Sequence, residues 1–145
     1  MKLEDILDMW VEDAPIDNSD LGNESLKIPN LHGKYLRILS VERLTLQKLE
    51  AEFKQLYKLK HEYYSGSLDI DTIKEKGWQQ NQKLIIKTDI GMHIDADEDI
   101  QKLTLKIGLQ KEKVSAVDHI LKTIMNRNYT ISNTVNYLKL MNGIS

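Results

Sequence analysis

Apolar residues recur along this chain with the three-and-four spacing of long helices. Tyr35, Leu39, Glu42, Leu46, Leu49, Phe53, Leu56, Lys60 and Tyr63 follow one another at steps of 4, 3, 4, 3, 4, 3, 4 and 3. That register keeps one stripe turned towards a partner helix. Pro29 and Asn30 precede the run, with Asn30 as a candidate N-cap, and Gly66 can stop it, so the pattern predicts a helix over residues 31–65. A rod of about 50 Å at 1.5 Å per residue is not a fold in itself, and its seam must meet other helices. Ile100, Leu103, Ile107, Gln110, Val114, Val117, Leu121 and Ile124 form a second seam of the same kind.

The flanking segments are shorter. Leu3, Ile6, Leu7, Trp10 and Val11 predict an amphipathic helix over Met1 to Ala14, ended by Pro15. Residues 13–29 are punctuated by Asp, Asn, Ser, Gly and Pro, with a turn or two of helix expected at Asp20 to Lys27. Helical potential returns at Asp69 to Lys76 and stops at Gly77. Lys83 to Lys87 and Met92 to Ile94 are short β-like runs compatible with a small hairpin across Thr88 to Gly91. Arg127-Asn-Tyr-Thr130 breaks the second seam, and Ile131 to Met141 restarts it as a terminal helix with Ile131, Val135, Leu138 and Met141 on one side. A helix that short does not stand alone, so it docks on its own chain or on copies of itself. The expected class is mostly α: a long-helix bundle with coiled-coil-like seams and a short hairpin as an option. Three regions are expected: residues 1–66, a connector at 67–95, and residues 96–145.

Charge changes this picture through its distribution. The formal net charge is only −2, which argues against a generic polyanion binder. Residues 1–30, however, carry two lysines against eight acids, while residues 31–66 carry seven Lys or Arg against four Glu. An acidic front therefore precedes a basic rod. The basic residues concentrate at the end of the rod, where Lys54, Tyr57, Lys58, Lys60, His61, Tyr63 and Tyr64 fall just before Gly66. Cations attract phosphates and release counterions, and tyrosine rings can stack on unpaired bases, so the cluster suits single-stranded nucleic acid. Helical geometry limits the arrangement. Lys58 and Lys60 lie about 200 degrees apart around the axis, so one straight helix cannot aim both at one strand. Either two faces serve two strands, or neighbouring subunits complete one groove. The bland alternative is that the lysines are solvated and the tyrosines finish the core. Glu42 and Lys60 interrupt the seam; polar residues there can fix register or oligomer state, and Lys60, near the helix end, can snorkel towards water.

Catalytic signatures are missing. Neither GxxxxGK[ST] nor GxGxxG occurs, and His32, His61, His93 and His119 have no metal-ligand spacing. Asp95, Asp97 and Asp99 superficially suggest calcium, but Ile100 stands where the loop needs glycine and Lys106 where it needs a bidentate glutamate. Helix capping explains these acids better. There is no cysteine, no window of 18 apolar residues and no basic-then-apolar amino terminus, so a cytoplasmic chain without disulfides is expected. A non-enzymatic protein with no metal and no cofactor is the reading, with a helical scaffold or adaptor as the rival from another class and a metal-dependent nuclease using Asp95 to Asp99 behind it.

A family resemblance covers essentially the whole length. It is carried by Leu3-Glu4-Asp5-Ile6 with Met9-Trp10 and Ile16-Asp17, by Ile28-Pro29-Asn30-Leu31-His32-Gly33-Lys34-Tyr35, and by Lys58-Leu-Lys60-His-Glu-Tyr63-Tyr64-Ser-Gly66. Asp95-Ala-Asp97 and Arg127-Asn-Tyr129-Thr-Ile131-Ser-Asn133 complete it. No single motif is diagnostic, but their order in a chain of this size resembles the UvsY-type recombination mediators of T-even-like phages and of phages of cyanobacteria. The resemblance implies weak, sequence-independent binding of single-stranded DNA by a homo-oligomeric ring of six or seven subunits in the cytoplasm of an infected bacterium. It also implies that the ring helps a RecA-like phage recombinase replace the phage single-strand-binding protein, in recombination, repair and replication. The family's basic pair maps onto Lys58 and Lys60, the second being lysine where the T-even member has arginine. The terminal helix, with Ile131, Val135, Leu138 and Met141, resembles the family's assembly segment.

Overall fold

The computed structural model describes residues 1–80 and 85–143. Six α-helices account for most of them: α1 (Leu3–Asp13), α2 (Leu21–Ser65), α3 (Ile70–Glu75), α4 (Ile90–Asp95), α5 (Glu98–Met125) and α6 (Arg127–Met141), with a 3-10 turn at Lys87–Asp89 before α4. No described residue lies in a strand, and the chain is an all-helical protein. Two compact units divide it, one of residues 1–44 and 111–145, the other of residues 45–110.

In the first unit the two seams meet. Tyr35 and Leu39 of α2 share a core with Val117, Ile120, Leu121 and Ile124 of α5, and Ile6 of α1 enters the same cluster, with Trp10, Ile28 and Leu31 packed around it. The amphipathic reading of α1 holds for Ile6 and Trp10, while Leu7 and Val11 stay exposed. Trp10 meets the Tyr35 ring edge-on at 5.6 Å, a favoured aromatic geometry. Polar contacts close one end of this core. The Tyr35 hydroxyl donates to Asp13 Oδ2 at 2.9 Å, and Lys34 Nζ lies 2.6 Å from the same oxygen. Arg127, at the start of α6, donates from one guanidinium nitrogen to the carbonyls of Asp13 and Ala14, 2.8 Å each. Its other terminal nitrogen lies 3.7 Å from Glu24 Oε2. Burial would raise the Asp13 carboxyl, but hydrogen bonds from Lys34 and Tyr35 and the charges of Lys34 and Arg127 outweigh it and hold the group below the ordinary carboxylate range.

Sequence and structure part company at Pro29. Instead of a cap at Asn30, α2 is one helix of 45 residues that runs from Leu21 straight through the proline. Pro29 deprives the Ser25 carbonyl of its partner, and Ser25 is exposed, so water can take that role. On the opposite side Ile28 and Leu31 pack on the core and buried Glu24 faces Arg127, so tertiary contacts hold both sides of the proline in line. The start of the last helix also moves, because Arg127 itself opens α6.

In the second unit Phe53, Leu56 and Tyr64 of α2 pack on Ile90 and Ile94 of α4 and on Ile100 of α5. The anticipated hairpin is overturned where it can be examined. Met92 to Ile94 lie in α4, Thr88 lies in the 3-10 turn, and Ile85 and Ile86 are not in a strand, while Lys83 and Leu84 lie outside the described residues. Ile90 and Ile94 are spaced 4 apart and both are buried, so here the apolar run served a helix period, an ambiguity that short runs cannot resolve alone. The glycine stops are as expected. Gly66 and Gly77 have φ of +81° and +72°. At each, the amide of the glycine and that of the next residue bond back into the last helical turn, Gly66 to Tyr63 and Ser67 to Glu62, Gly77 to Lys74 and Trp78 to Ile73. This is the doubly bonded stop that favours glycine.

Candidate nucleic-acid interface

Helical spacing sets the basic and aromatic residues at the end of α2 on two faces, and the structure decides which of the two is covered. Lys54, Lys58 and His61 are exposed, and their spacing puts them within an arc of about 60 degrees. Tyr57 borders that strip, exposed at 39%, its ring 6.2 Å from that of Phe53. This group offers two ammonium groups, an imidazole and a ring face to solvent.

Lys60, Tyr63 and Tyr64 face the other way. Lys60 is 3% exposed, so it does not snorkel. Its ammonium lies 3.0 Å from Asp97 Oδ2 and 2.9 Å from Asp99 Oδ2 at the start of α5. It also sits 3.6 Å above the centre of the Trp78 ring and 5.5 Å from that of Tyr63. Tyr64 donates its hydroxyl to Asp97 Oδ2 at 2.6 Å, and the Trp78 indole N–H donates to Asp99 Oδ2 at 3.1 Å. Tyr63 meets the Trp78 ring edge-on at 5.1 Å and donates to the Gln79 carbonyl. Tyr64 also stacks on His93, with ring centres 5.7 Å apart. An open cleft of about 440 Å³ lies beside this network, lined by Lys60, Tyr63, Lys76, Trp78, Gln79 and Asp99 among others.

Asp97 organises the network. Its Oδ1 accepts the backbone N–H groups of Asp99 and Ile100 at 2.9 and 3.1 Å, so it caps α5 as its position before the second seam suggested. Burial would raise its carboxyl, yet hydrogen bonds from Tyr64, Lys60 and the Ile100 amide outweigh burial and hold it below the ordinary carboxylate range. Burial first, and then the bond to Asp97, push the Tyr64 phenol upward. The acids that part of the sequence offered to calcium thus neutralise a buried lysine, and no group of three or more His, Asp or Glu side chains suited to a metal occurs among the described residues.

A signal for this arrangement was present. Lys60 occupies a seam position, which turns it inwards, and antiparallel seams bring the end of the first to the start of the second, where Asp97 and Asp99 stand. Trp78 had no such signal, since it lies in the segment after α3 with no periodicity. On α6, Ile131 is buried at 7% and Val135 is half-buried, whereas Leu138 and Met141 are 40% and 65% exposed, beside Tyr137 and Leu140 at 59% and 76%.

A family model described as the recombination, repair and ssDNA binding protein UvsY matches residues 9–144. The chain belongs to the UvsY family. Two crystal forms of the recombination mediator protein UvsY of bacteriophage T4 share the UvsY fold with it. Lattice type IV aligns at a TM-score of 0.84 and 22% identity over 97% of this chain and 99% of that one. Lattice type II aligns at 0.83 and 22% identity over 99% and 98%. No curated protein matches the chain. Among the described residues no helix is long and apolar enough to cross a membrane.

Proposed function

We propose that this chain is a recombination mediator that binds single-stranded DNA and promotes loading of a RecA-like recombinase onto strands covered by single-strand-binding protein. The observation that carries the reading is the exposed strip of Lys54, Tyr57, Lys58 and His61 at the end of α2 in a chain of the UvsY family. Two lysines can follow a phosphate backbone along one helix face, and Tyr57 can take a base on its ring. Each contact is weak, so the strand is held by many copies acting together in a homo-oligomer, a ring of six or seven subunits, through high effective concentration. A strand held this way is kept in a form that the recombinase binds better than its competitor does. Filament nucleation then follows from differential affinity.

Lys58→Ala tests the interface directly. Each phosphate contact on a single strand contributes about 0.7 to the slope of log affinity against log salt. Loss of Lys58 is therefore expected to lower affinity for a labelled oligothymidylate and to reduce that slope by about 0.7 for each subunit engaged, with unchanged circular dichroism. Unchanged anisotropy titrations at low and high salt would favour a protein scaffold that acts without touching DNA.

Assembly through α6 rests on its uncovered apolar side. Because Ile131 belongs to the core of its own chain, removing the whole helix would confuse folding with assembly. Replacement of Leu138 and Met141 together by serine avoids this, since both are exposed. The double variant is expected to scatter light as smaller species and to bind DNA more weakly. An unaltered mass would remove α6 from the assembly.

A further inference from the structure

Resting on the DNA-binding reading, we propose that Trp78 is a base-stacking residue of the strand interface and that Lys60 serves as a positioning residue, holding Trp78 in place instead of contacting phosphate. Lys60 is poorly placed to meet a strand. Its ammonium is shared between Asp97 and Asp99 at 3.0 and 2.9 Å in a position 3% exposed. Drawing it out to a phosphate would leave buried Asp97 without its cation, and stranding one charge of a buried pair is strongly unfavourable.

The same contacts fix the indole. The ammonium lies 3.6 Å over one face of the Trp78 ring, the indole N–H is bonded to Asp99 at 3.1 Å, and the edge of Tyr63 closes on it at 5.1 Å. The backbone is fixed as well, because the Trp78 amide bonds to the Ile73 carbonyl at 3.0 Å just after the left-handed turn at Gly77. A tryptophan outside any helix is thus as firmly oriented as a core residue, yet it is only half-buried and lines the open cleft with Lys76 and Gln79, both exposed. A ring oriented in advance loses little freedom when a base stacks on it. Its chemistry suits the unpaired base of a single strand, with the Lys76 ammonium at the same cleft for the adjoining phosphate.

The protein has two tryptophans, and the other, Trp10, packs on Tyr35 in the first unit, so the difference in emission between the wild-type chain and Trp78→Phe reads Trp78. Titration of the full chain with oligothymidylate is expected to quench emission saturably, and Trp78→Phe, which keeps a ring there, is expected to abolish the quenching while still binding. By anisotropy, Trp78→Ala is expected to lose affinity about tenfold, the scale of one base–aromatic stack. Lys60→Met is expected to weaken binding with the wild-type salt slope, whereas a phosphate ligand would take about 0.7 off that slope per contact. Emission that stays constant while anisotropy reports binding would overturn the stacking role. A reduced slope in Lys60→Met would overturn the positioning role. Absence of any binding by the wild-type chain would overturn the DNA-binding reading and this inference with it.

Discussion

Replacement of Arg127 by methionine is expected to lower the unfolding free energy by about 3 kcal/mol, at the low end of the roughly 3–5 kcal/mol that follows loss of one partner of a buried ion pair. Methionine keeps most of the stem and so preserves packing near Trp10, whose ring lies 5.6 Å from the guanidinium carbon. What disappears is polar. The carbonyls of Asp13 and Ala14 at the end of α1 lose their 2.8 Å donors. Among the described residues, buried Glu24 then keeps Lys27, 3.1 Å away on an exposed stem. That remaining contact is why the low end of the range applies. Glu24→Gln is expected to cost less, about 1 kcal/mol, because Arg127 keeps its bonds to the Asp13 and Ala14 carbonyls. Urea denaturation followed by far-ultraviolet circular dichroism measures both. Coupling between the two sites is expected in a double-mutant cycle, and strict additivity would show that Arg127 acts only through the α1 carbonyls.

Acid is expected to reach the second unit through Asp97. Its folded-state carboxyl lies below the ordinary value of 3.8, so the stability it contributes is complete above that value and is lost as pH falls through the folded-state value. At neutral pH, Asp97→Asn keeps a helix cap but leaves Lys60 with Asp99 alone and weakens the bond from Tyr64. A loss of about 3 kcal/mol is expected, from one charged pair and one charge-assisted hydrogen bond in a buried setting. As pH falls from 3.8 through the folded-state value the wild-type chain gives up this contribution progressively, so urea midpoints of variant and wild type are expected to draw together. A constant gap between pH 7 and pH 3 would show that the Asp97 charge contributes nothing. Asp13 titrates in the same direction, so the variant retains part of the acid sensitivity.

Much of the helical framework was legible beforehand. Both seams fall inside α2 and α5, and Asp97 caps where an acid precedes an apolar repeat. Other features were hidden for identifiable reasons. Pro29 reads as a boundary because its local cost is visible, whereas the contacts of Ile28, Leu31 and Glu24 that hold the helix through it lie far away in the chain. Met92 to Ile94 read as a β-like run, with Ile90 in the turn before it, because the burial that pairs Ile90 with Ile94 on one helix face comes from residues far away in the chain. In the cluster before Gly66, helical spacing set Lys58 and Lys60 on different sides but left open which side meets solvent, and the structure separates four residues that face solvent from three that face Trp78, Asp97 and Asp99.

The sequence by itself determined the two helical seams, the stops at Gly66 and Gly77, and the gathering of cations and rings at the end of α2. Periodicity and capping are properties of neighbouring residues and need no fold to be read. Only the tertiary structure decided that Lys58 meets water while Lys60 meets two carboxylates and an indole. The availability of a charge depends on what stands opposite it, and those partners lie in α5 and in the segment after α3.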